Sequence, residues 1–205
     1  MGTTEKIYFY PLWLRIWHGF NALGIITLII TGISMQSSID AAFLGFNTAV
    51  NLHNIAGILV LISYLLFFTG NLATGNGKYY LLKVKGFLRN LIKQGTYYAW
   101  GMFHGQKSPF PLSEKRKFNP LQKFSYLLVM YFALPIIIIT GIALLFPEMI
   151  IDQTWGISGV FLTAILHSAM GFLISVFLII HLYTSTLGKS PLDNFKAIIS
   201  GWHHL

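Results

Sequence analysis

Four long apolar runs divide this chain. They extend over residues of about 13–35, 48–72, 124–146 and 157–187. A helix needs about 20 mostly apolar residues to cross the hydrocarbon core of a bilayer. The runs lack the alternation of a strand, and a helix satisfies its own backbone hydrogen bonds in lipid. The pattern therefore predicts an all-α integral membrane four-helix bundle, forming a single domain over residues 1–205.

The segment of about 74–122 is the only sizeable polar part. Its stretch from Tyr79 to Phe103 mixes Lys and Arg with Tyr, Leu, Phe and Trp. This mixture predicts an amphipathic helix lying at the membrane surface, with an ordinary basic loop as the alternative. We see no internal repeat along the chain.

Charge supports this topology. The chain has 14 Lys and Arg against 6 Asp and Glu, and only 10% of its residues are charged, where soluble domains have about 25%. All basic residues lie before or at the start of the first run, in the 74–122 segment or its edge, or after the fourth run. The other two loops contain Asp40, Glu148 and Asp152 and no basic residue. The positive-inside rule then predicts that both termini and the long loop lie in the cytoplasm.

Two further readings of the same charges are less favoured. The net charge of +8 is explained by anionic lipid headgroups, so no nucleic acid is needed as a partner. The first run has a basic start like that of a signal peptide. It is long for such a segment, however, and no clear cleavage site follows, so we expect a retained helix.

The candidate chemistry lies in histidine, because the chain has no cysteine. That absence excludes disulfides, iron–sulfur clusters and covalently attached c-type haem. Of seven histidines, His104, His203 and His204 fall in the loop or tail, where a solvated surface position is expected. Four lie within the runs, where ionisable residues are rare and mark functional sites: His18, His53, His167 and His181. A lone intramembrane histidine is more often a hydrogen-bonded packing residue.

Depth sorts these four histidines into two pairs. His18 and His181 lie near the cytoplasmic ends of their spans, whereas His53 and His167 lie towards the outer ends. His167 and His181 are 14 residues apart, which gives about 21 Å of rise and nearly the same helix face. Neutral imidazole suits iron, and two axial histidines complete a haem. The sequence thus predicts two haem b groups, one held by each pair.

Small residues follow each of these histidines by four positions. They are Ala22, Gly57, Gly171 and Ser185, and position i+4 lies on the same helix face. A flat macrocycle would need that space, although close helix packing in membranes also uses small residues. Arg15 lies one turn before His18 and could pair with a haem propionate, its alternative role being a positive-inside anchor.

These residues together resemble a known family. Arg15-Ile16-Trp17-His18 opens the first run, His53 opens the second, and His167 and His181 share the fourth. The segment Lys117-Phe118-Asn119-Pro120-Leu121-Gln122-Lys123 precedes the third. This arrangement is similar to the cytochrome b561-type membrane subunits of respiratory oxidoreductases. Examples are the formate dehydrogenase gamma subunit, the nickel–iron hydrogenase cytochrome b and the thiosulfate-reductase cytochrome b.

The resemblance implies a quinone-reactive subunit in a bacterial inner membrane. In such subunits electrons pass between a periplasmic-side oxidoreductase, or a multihaem or iron–sulfur electron-transfer subunit, and a menaquinone or ubiquinone site near the inner haem. Carried over here, His181, Asn119 and Gln122 would border the quinone. From the residues alone, Asn119 and Gln122 are polar residues at a helix start, where capping is the ordinary explanation.

Three functions follow from these readings. The first is a dihaem cytochrome b subunit that carries electrons between the quinone pool and a partner enzyme, with substrate conversion in the partner. The second is a stand-alone b561-type superoxide:quinone oxidoreductase on the same scaffold. The third is a haem-free transporter or proton channel whose histidines relay protons.

Overall fold

Long helices dominate this protein. The structure is a computed structural model that describes residues 6–36, 44–81, 85–111, 113, 116–188 and 190–204. Within these ranges four helical segments are long and apolar enough to cross a membrane: Leu12–Gln36, Phe46–Thr74, Pro120–Leu145 and Gly159–Ser185. Each predicted end lies within four residues of the observed one. The predicted all-α membrane fold is confirmed.

Short elements fill the connections between these helices. In chain order the elements are β1 (Lys6–Tyr8), α1 (Leu12–Gln36), α2 (Phe46–Thr74), a 3-10 turn (Asn76–Tyr79), α3 (Phe87–Ala99), a 3-10 turn (Gly101–His104), α4 (Pro120–Leu128), a π-helical turn (Val129–Ala133), α5 (Leu134–Leu145), a 3-10 turn (Pro147–Met149), β2 (Gln153–Thr154), β3 (Ile157–Ser158), α6 (Gly159–Ser185), α7 (Asp193–Ser200) and β4 (Trp202–His204). Helix α3 lies inside the stretch where the sequence predicts an amphipathic helix.

The third span changes its winding part-way along. Its π-helical turn, Val129–Ala133, ends two residues before Pro135. Proline has no N–H to donate to the carbonyl four residues earlier, and its ring crowds that carbonyl. A wider turn before proline relieves the clash, so a local rearrangement of the ladder is expected at this point. The span is therefore continuous but divided into α4 and α5.

A tight hairpin determines where α6 begins. Strands β2 and β3 pair antiparallel, with Thr154 opposite Ile157. Between them Trp155 and Gly156 both have positive φ, 52° and 77°, as a type I′ turn requires. The sequence predicts the fourth span from residue 157, but residues 157–158 are in a strand and the helix begins at Gly159.

The chain divides into two compact units. One, the helical unit, comprises residues 12–69 and 133–180; the other, the terminal unit, comprises residues 1–11, 70–132 and 181–205. In the helical unit, α1 and α2 pack closely: a Cβ on Gly24 would lie only 2.6 Å from Val60 Cγ2. Trp17 adds a hydrogen bond from Nε1 to the Ser63 carbonyl and stacks on Phe67.

The helical unit exposes much of its apolar surface. Leu66, Phe172 and Ile179 are 62%, 73% and 69% exposed, and they are three of many. A water-soluble domain rarely presents such a continuous apolar surface. Exposed leucine, isoleucine and phenylalanine along four long helices are what contact with lipid requires. The chain is thus a multi-pass membrane protein.

The terminal unit joins the two ends of the described chain. Strand β1 pairs antiparallel with β4, with Ile7 opposite His203. Tyr8 packs on Trp202, and the Phe9 amide donates to the Gly201 carbonyl. Gly201 has φ of 89°, and a Cβ there would collide with the Tyr8 ring, so only glycine fits. His203, expected at a solvated tail, is instead half-buried in this ladder.

Candidate functional site

His53 and His167 face each other in the helical unit. Their ring centroids are 6.2 Å apart and their planes are inclined at 64°. His53 lies seven residues into α2 and His167 eight residues into α6, counted from Phe46 and Gly159. The two depths therefore agree more closely than the sequence alone indicated. The structure brings together the pair that was predicted from depth.

Each histidine ring is hydrogen-bonded to one threonine from a neighbouring helix. Thr31 Oγ1, on α1, lies 2.9 Å from His53 Nδ1. Thr140 Oγ1, on α5, lies 3.0 Å from His167 Nδ1. Thr31 and Thr140 are almost fully buried. We call these four residues the Thr–His clamp; they join α1 to α2 and α5 to α6.

A glycine follows each threonine of the clamp and makes room for the neighbouring imidazole. A Cβ on Gly32 would lie 3.6 Å from His53 Cε1, at ordinary contact distance. A Cβ on Gly141 would lie 3.1 Å from His167 Cε1, which is tighter than side chains normally pack. In each Thr-Gly pair, the threonine hydroxyl thus contacts one atom of the histidine ring, and the glycine leaves space beside another atom of that ring.

His53 and His167 would be able to hold one haem iron between them. Imidazole nitrogens bind metals at about 2 Å, so two imidazoles that share one ion have ring centres about 6 Å apart. The observed centroid separation is 6.2 Å. With Nδ1 of each ring beside a threonine, Nε2 is the nitrogen left for a metal. A haem would supply four further nitrogens itself, so these two protein ligands would suffice.

The clamp contains a repeat that our reading of the sequence missed. Ile-Ile-Thr-Gly-Ile occurs at residues 29–33 and again at 138–142. His-x-x-x-Gly occurs at His53–Gly57 and at His167–Gly171. The statement that the chain has no internal repeat is therefore wrong. Five identical residues in two spans of similar composition were the available signal, but apolar residues mask such identity.

The small residues after the histidines have varied surroundings. A Cβ on Gly57 would lie 4.0 Å from Leu28 Cδ2, and one on Gly171 would lie 3.7 Å from Ile137 Cδ1. Both are ordinary contacts with a neighbouring helix. Ser185 donates its hydroxyl to the His181 carbonyl, 2.7 Å away. Their role, with that of Ala22, beside a macrocycle stays a prediction.

His18 and Arg15 both lie in the first two turns of α1, in the helical unit, and both are half-buried. His181 lies four residues before the end of α6, in the terminal unit. Its ring contacts Tyr126 edge-to-face, with centroids 6.0 Å apart. The predicted pairing of His18 with His181 stays a prediction, as does the contact of Arg15 with a propionate.

Asn119 and Gln122 form a capping box at the start of α4. Asn119 Oδ1 accepts from the Gln122 amide at 2.9 Å, and Gln122 Oε1 accepts from the Asn119 amide at 3.2 Å. This satisfies two backbone donors at a helix start. Asn119 also donates from Nδ2 to the Tyr98 hydroxyl at 2.8 Å. The ordinary capping explanation therefore holds for both, and a quinone contact would be an additional role.

A buried lysine in the terminal unit was not expected from the sequence. Lys117 is 3% exposed, and its ammonium has no hydrogen-bond partner within the described part of the chain. Instead Nζ lies 4.6 Å from the centre of the Tyr10 ring, 5.4 Å from that of Tyr79 and 5.7 Å from that of Phe118. Aromatic faces attract a desolvated cation. Burial nevertheless lowers the pKa of Lys117 to about 8.

Buried and half-buried tyrosines in the same unit have raised pKa values for the same reason. Burial raises the pKa of Tyr10 to about 12 and also raises that of Tyr98. Burial raises the pKa of Tyr80 further, with the nearby Tyr131 and Tyr10 adding to it. These phenols therefore stay protonated and can donate hydrogen bonds. We call Lys117, Tyr10, Tyr80, Tyr98 and Tyr126 the tyrosine cluster.

Comparison with known proteins supplies the family. The sequence profile of the prokaryotic cytochrome b561 family matches residues 9–201. This chain belongs to the prokaryotic cytochrome b561 family. A protein of Escherichia coli (strain K12) with the name "Putative cytochrome YdhU" is 34% identical over 199 residues, which cover 97% of this chain and 75% of that protein. The suspected resemblance is confirmed over nearly the whole chain.

Membership in the cytochrome b561 family assigns the chemistry in broad terms. The chain is a membrane b-type cytochrome that acts in electron transfer, and the family implies binding of haem b. Haem supplies a reversible one-electron centre that protein side chains lack. A haem-free transporter or proton channel does not agree with this membership. His53 and His167 are the residues whose geometry fits such a group.

Proposed function

We propose that this cytochrome b carries electrons across the bacterial inner membrane, between the quinone pool and a periplasmic-side oxidoreductase. It would hold two haem b groups, one between His53 and His167 and one between His18 and His181. The observation that carries the proposal is the 6.2 Å separation of the His53 and His167 rings, with each Nδ1 held by a buried threonine.

The second haem is proposed from the histidines that remain. His18 and His181 lie on the spans α1 and α6, near the ends opposite to the Thr–His clamp residues of the same helices. On α6 the 14-residue interval places His181 about four turns beyond His167 and on nearly the same face. Two one-electron centres at two depths would let electrons cross a layer that otherwise insulates.

The quinone is proposed to bind near His181, in the terminal unit. Three polar groups there support this choice: the Tyr126 ring on His181, the Asn119 amide on the Tyr98 hydroxyl, and the buried Lys117 ammonium. Quinol oxidation releases protons and quinone reduction consumes them, so a quinone site needs groups that donate hydrogen bonds and exchange protons. Menaquinone and ubiquinone are both compatible with these contacts.

The proposed orientation rests on charge. The basic residues of the terminal unit would face the cytoplasm, and β1 paired with β4 keeps both ends of the described chain in that unit. The loops with Glu148 and Asp152 would face the periplasm, where a partner oxidoreductase or a multihaem or iron–sulfur subunit would dock. This chain would then supply the path for electrons and the partner the substrate chemistry.

Haem stoichiometry tests this proposal directly. We expect two haem b per chain in protein purified from haem-sufficient cells, with two reduction steps in a redox titration. His18→Ala and His181→Ala should each remove the same step. A colourless preparation, or one haem per chain, would contradict the dihaem function, and loss of one shared step in His18→Ala and His53→Ala would contradict the pairing.

Gentle isolation of the native complex tests the partner. Co-purification with a periplasmic-side oxidoreductase or electron-transfer subunit, in constant ratio through two separation steps, is the expected result. Quinol-dependent reduction of the haems should accompany it. A preparation that stays a single polypeptide and reduces quinone with superoxide would favour the stand-alone enzyme instead.

A further inference from the structure

The two threonines of the Thr–His clamp each make a second hydrogen bond, to their own helix. Thr31 Oγ1 lies 2.7 Å from the Thr27 carbonyl, and Thr140 Oγ1 lies 2.7 Å from the Ile136 carbonyl. In both cases the partner is four residues earlier, the usual target of an intrahelical threonine. The same hydroxyl oxygen therefore has a carbonyl on one side and a histidine nitrogen on the other.

This pair of bonds fixes the direction of each. A threonine hydroxyl has one proton and two lone pairs, whereas a carbonyl oxygen can only accept. The proton must therefore point to the carbonyl, and the hydroxyl oxygen then accepts from histidine. It follows that Nδ1 of His53 and of His167 is protonated and donates to threonine. In a neutral imidazole the other nitrogen, Nε2, is then bare.

We propose that Thr31 and Thr140 are positioning residues that hold His53 and His167 in the one tautomer able to bind haem iron, and that their bonds lower the reduction potential of that haem. The proposal rests on the haem function proposed above. It goes beyond that function because it assigns a redox-setting role to two uncharged residues on helices that provide no iron ligand to this site.

Two independent copies of the arrangement support this proposal. The distances from Oγ1 to Nδ1 are 2.9 and 3.0 Å, and both bonds to the carbonyls are 2.7 Å. The following glycine lies beside Cε1 of the same ring in both copies. A chance threonine near one histidine would not reproduce the same three contacts on a second pair of helices.

The effect on potential follows from charge. When Nδ1–H donates a hydrogen bond, the imidazole becomes more basic and gives its Nε2 electron pair more strongly to a metal. Stronger donation favours the oxidised, more positive iron, so it lowers the reduction potential. Removing the acceptor should reverse this. We expect its loss to change the ratio of reduced to oxidised haem by about five- to tenfold, the order of magnitude of one hydrogen bond.

The test replaces each threonine by valine, which keeps the shape and removes the hydroxyl, and by serine, which keeps the hydroxyl. Thr69→Val is the matched control: Thr69 makes the same bond to the carbonyl four residues earlier, that of Leu65, but lies on the exposed surface of α2. The measurements are a redox titration and the electron paramagnetic resonance spectrum of the oxidised haem, neither of which needs a partner enzyme or turnover.

In Thr31→Val and in Thr140→Val we expect one of the two haems to become about five- to tenfold more reduced at its wild-type midpoint. Its resonance spectrum should change, and the other haem should stay as it was. Thr31→Ser, Thr140→Ser and Thr69→Val should titrate as wild type does. An unchanged midpoint in both valine variants, with haem bound, would overturn the proposal.

Loss of haem from the valine variants is also informative, because the serine variants then distinguish the effect of the hydroxyl from that of packing. Serine variants that keep both haems at wild-type midpoints would support the hydroxyl as the cause. Serine variants that lose the haem as valine does would overturn it, since packing would then be responsible. Failure of the underlying function looks different: the wild type and Thr69→Val would themselves lack the haem that His53 and His167 hold.

Discussion

The Thr–His clamp and the tyrosine cluster differ in whether their buried polar groups have hydrogen-bond partners. In the clamp each threonine oxygen and each Nδ1 has a partner at 2.7 to 3.0 Å, and the pattern occurs twice. In the cluster Lys117 is buried among aromatic rings without a hydrogen-bond partner among the described residues. Satisfied polar groups fix one geometry, whereas an unsatisfied buried cation is poised to lose its proton or to gain a ligand. The clamp is therefore expected to be rigid, whereas Lys117 in the tyrosine cluster is the group expected to exchange a proton.

The largest effect should come from removing a ring of the clamp. His53→Leu and His167→Leu should each abolish the same haem, because either change would remove one of the two residues proposed to hold it. His104→Leu is the control, since His104 is exposed and stacks on Trp100. Haem quantification and the redox titration measure the loss. Two haems in either clamp variant would contradict the assignment of the clamp as an iron site.

Glycine substitutions should reveal an asymmetry between the two halves of the clamp. Gly141→Ala should displace the His167 ring, because the new Cβ would lie 3.1 Å from Cε1, whereas Gly32→Ala leaves 3.6 Å to His53. We expect Gly141→Ala to lower haem retention during purification several-fold and Gly32→Ala to change it little. Equal losses would show that the two rings adapt alike.

The tyrosine cluster should give the protein a distinctive dependence on pH. The pKa of Lys117 falls from 10.5 to about 8 on folding, so between these values the unfolded chain binds more protons than the folded one. Stability therefore rises with pH across this window, and the cost of burying the charge is fully present below it. The total change is on the order of 3 kcal/mol.

Lys117→Met removes this group and nearly keeps its shape. We expect the variant to be more stable than wild type at pH 7 and the advantage to shrink as the pH rises from about 8 to about 10.5. Thermal unfolding in detergent at several pH values measures the difference. Parallel curves for the two proteins at all pH values would show that Lys117 keeps its ordinary pKa in the fold.

The smallest effect should follow from loosening the polar contact of the α4 cap. Asn119→Ser keeps an acceptor for the Gln122 amide but removes the amide that donates to Tyr98. If this edge borders the quinone, KM for quinol should rise by about fivefold, the value of one neutral hydrogen bond. Tyr98→Phe, measured alongside, should reproduce the part of the change that passes through Tyr98. An unchanged KM in both would remove Asn119 from the quinone site.

The sequence predicted those features that depend on one helix at a time. Span number and ends follow from apolar run length, and the facing of His53 and His167 follows from counting residues into each span. The roles of Thr31 and Thr140 depend on which helices are neighbours, and threonine is common in membrane helices. The one sequence signal for these two threonines is the repeated Ile-Ile-Thr-Gly-Ile, which is hard to notice within apolar spans.

The terminal unit was harder to predict for a different physical reason. Lysines next to a span are normally solvated, so the burial of Lys117 depends on rings brought from Tyr10 and Tyr79, distant in the chain. The pairing of β1 with β4 joins residues about 200 positions apart, with too few residues in each strand for a recognisable pattern. The π-helical turn before Pro135, by contrast, follows from a local rule and could have been anticipated.

The division of the clamp between two helical hairpins has a consequence for biogenesis. During synthesis α1 and α2 emerge first, so Thr31 can engage His53 as soon as that hairpin is inserted. The opposing ring, His167, is made 114 residues later, by subtraction of the two positions. A haem held by both rings would therefore form only after α6 is in the membrane. Capture of the cofactor here would act as a checkpoint, separating chains in which α6 is in place from those still being assembled.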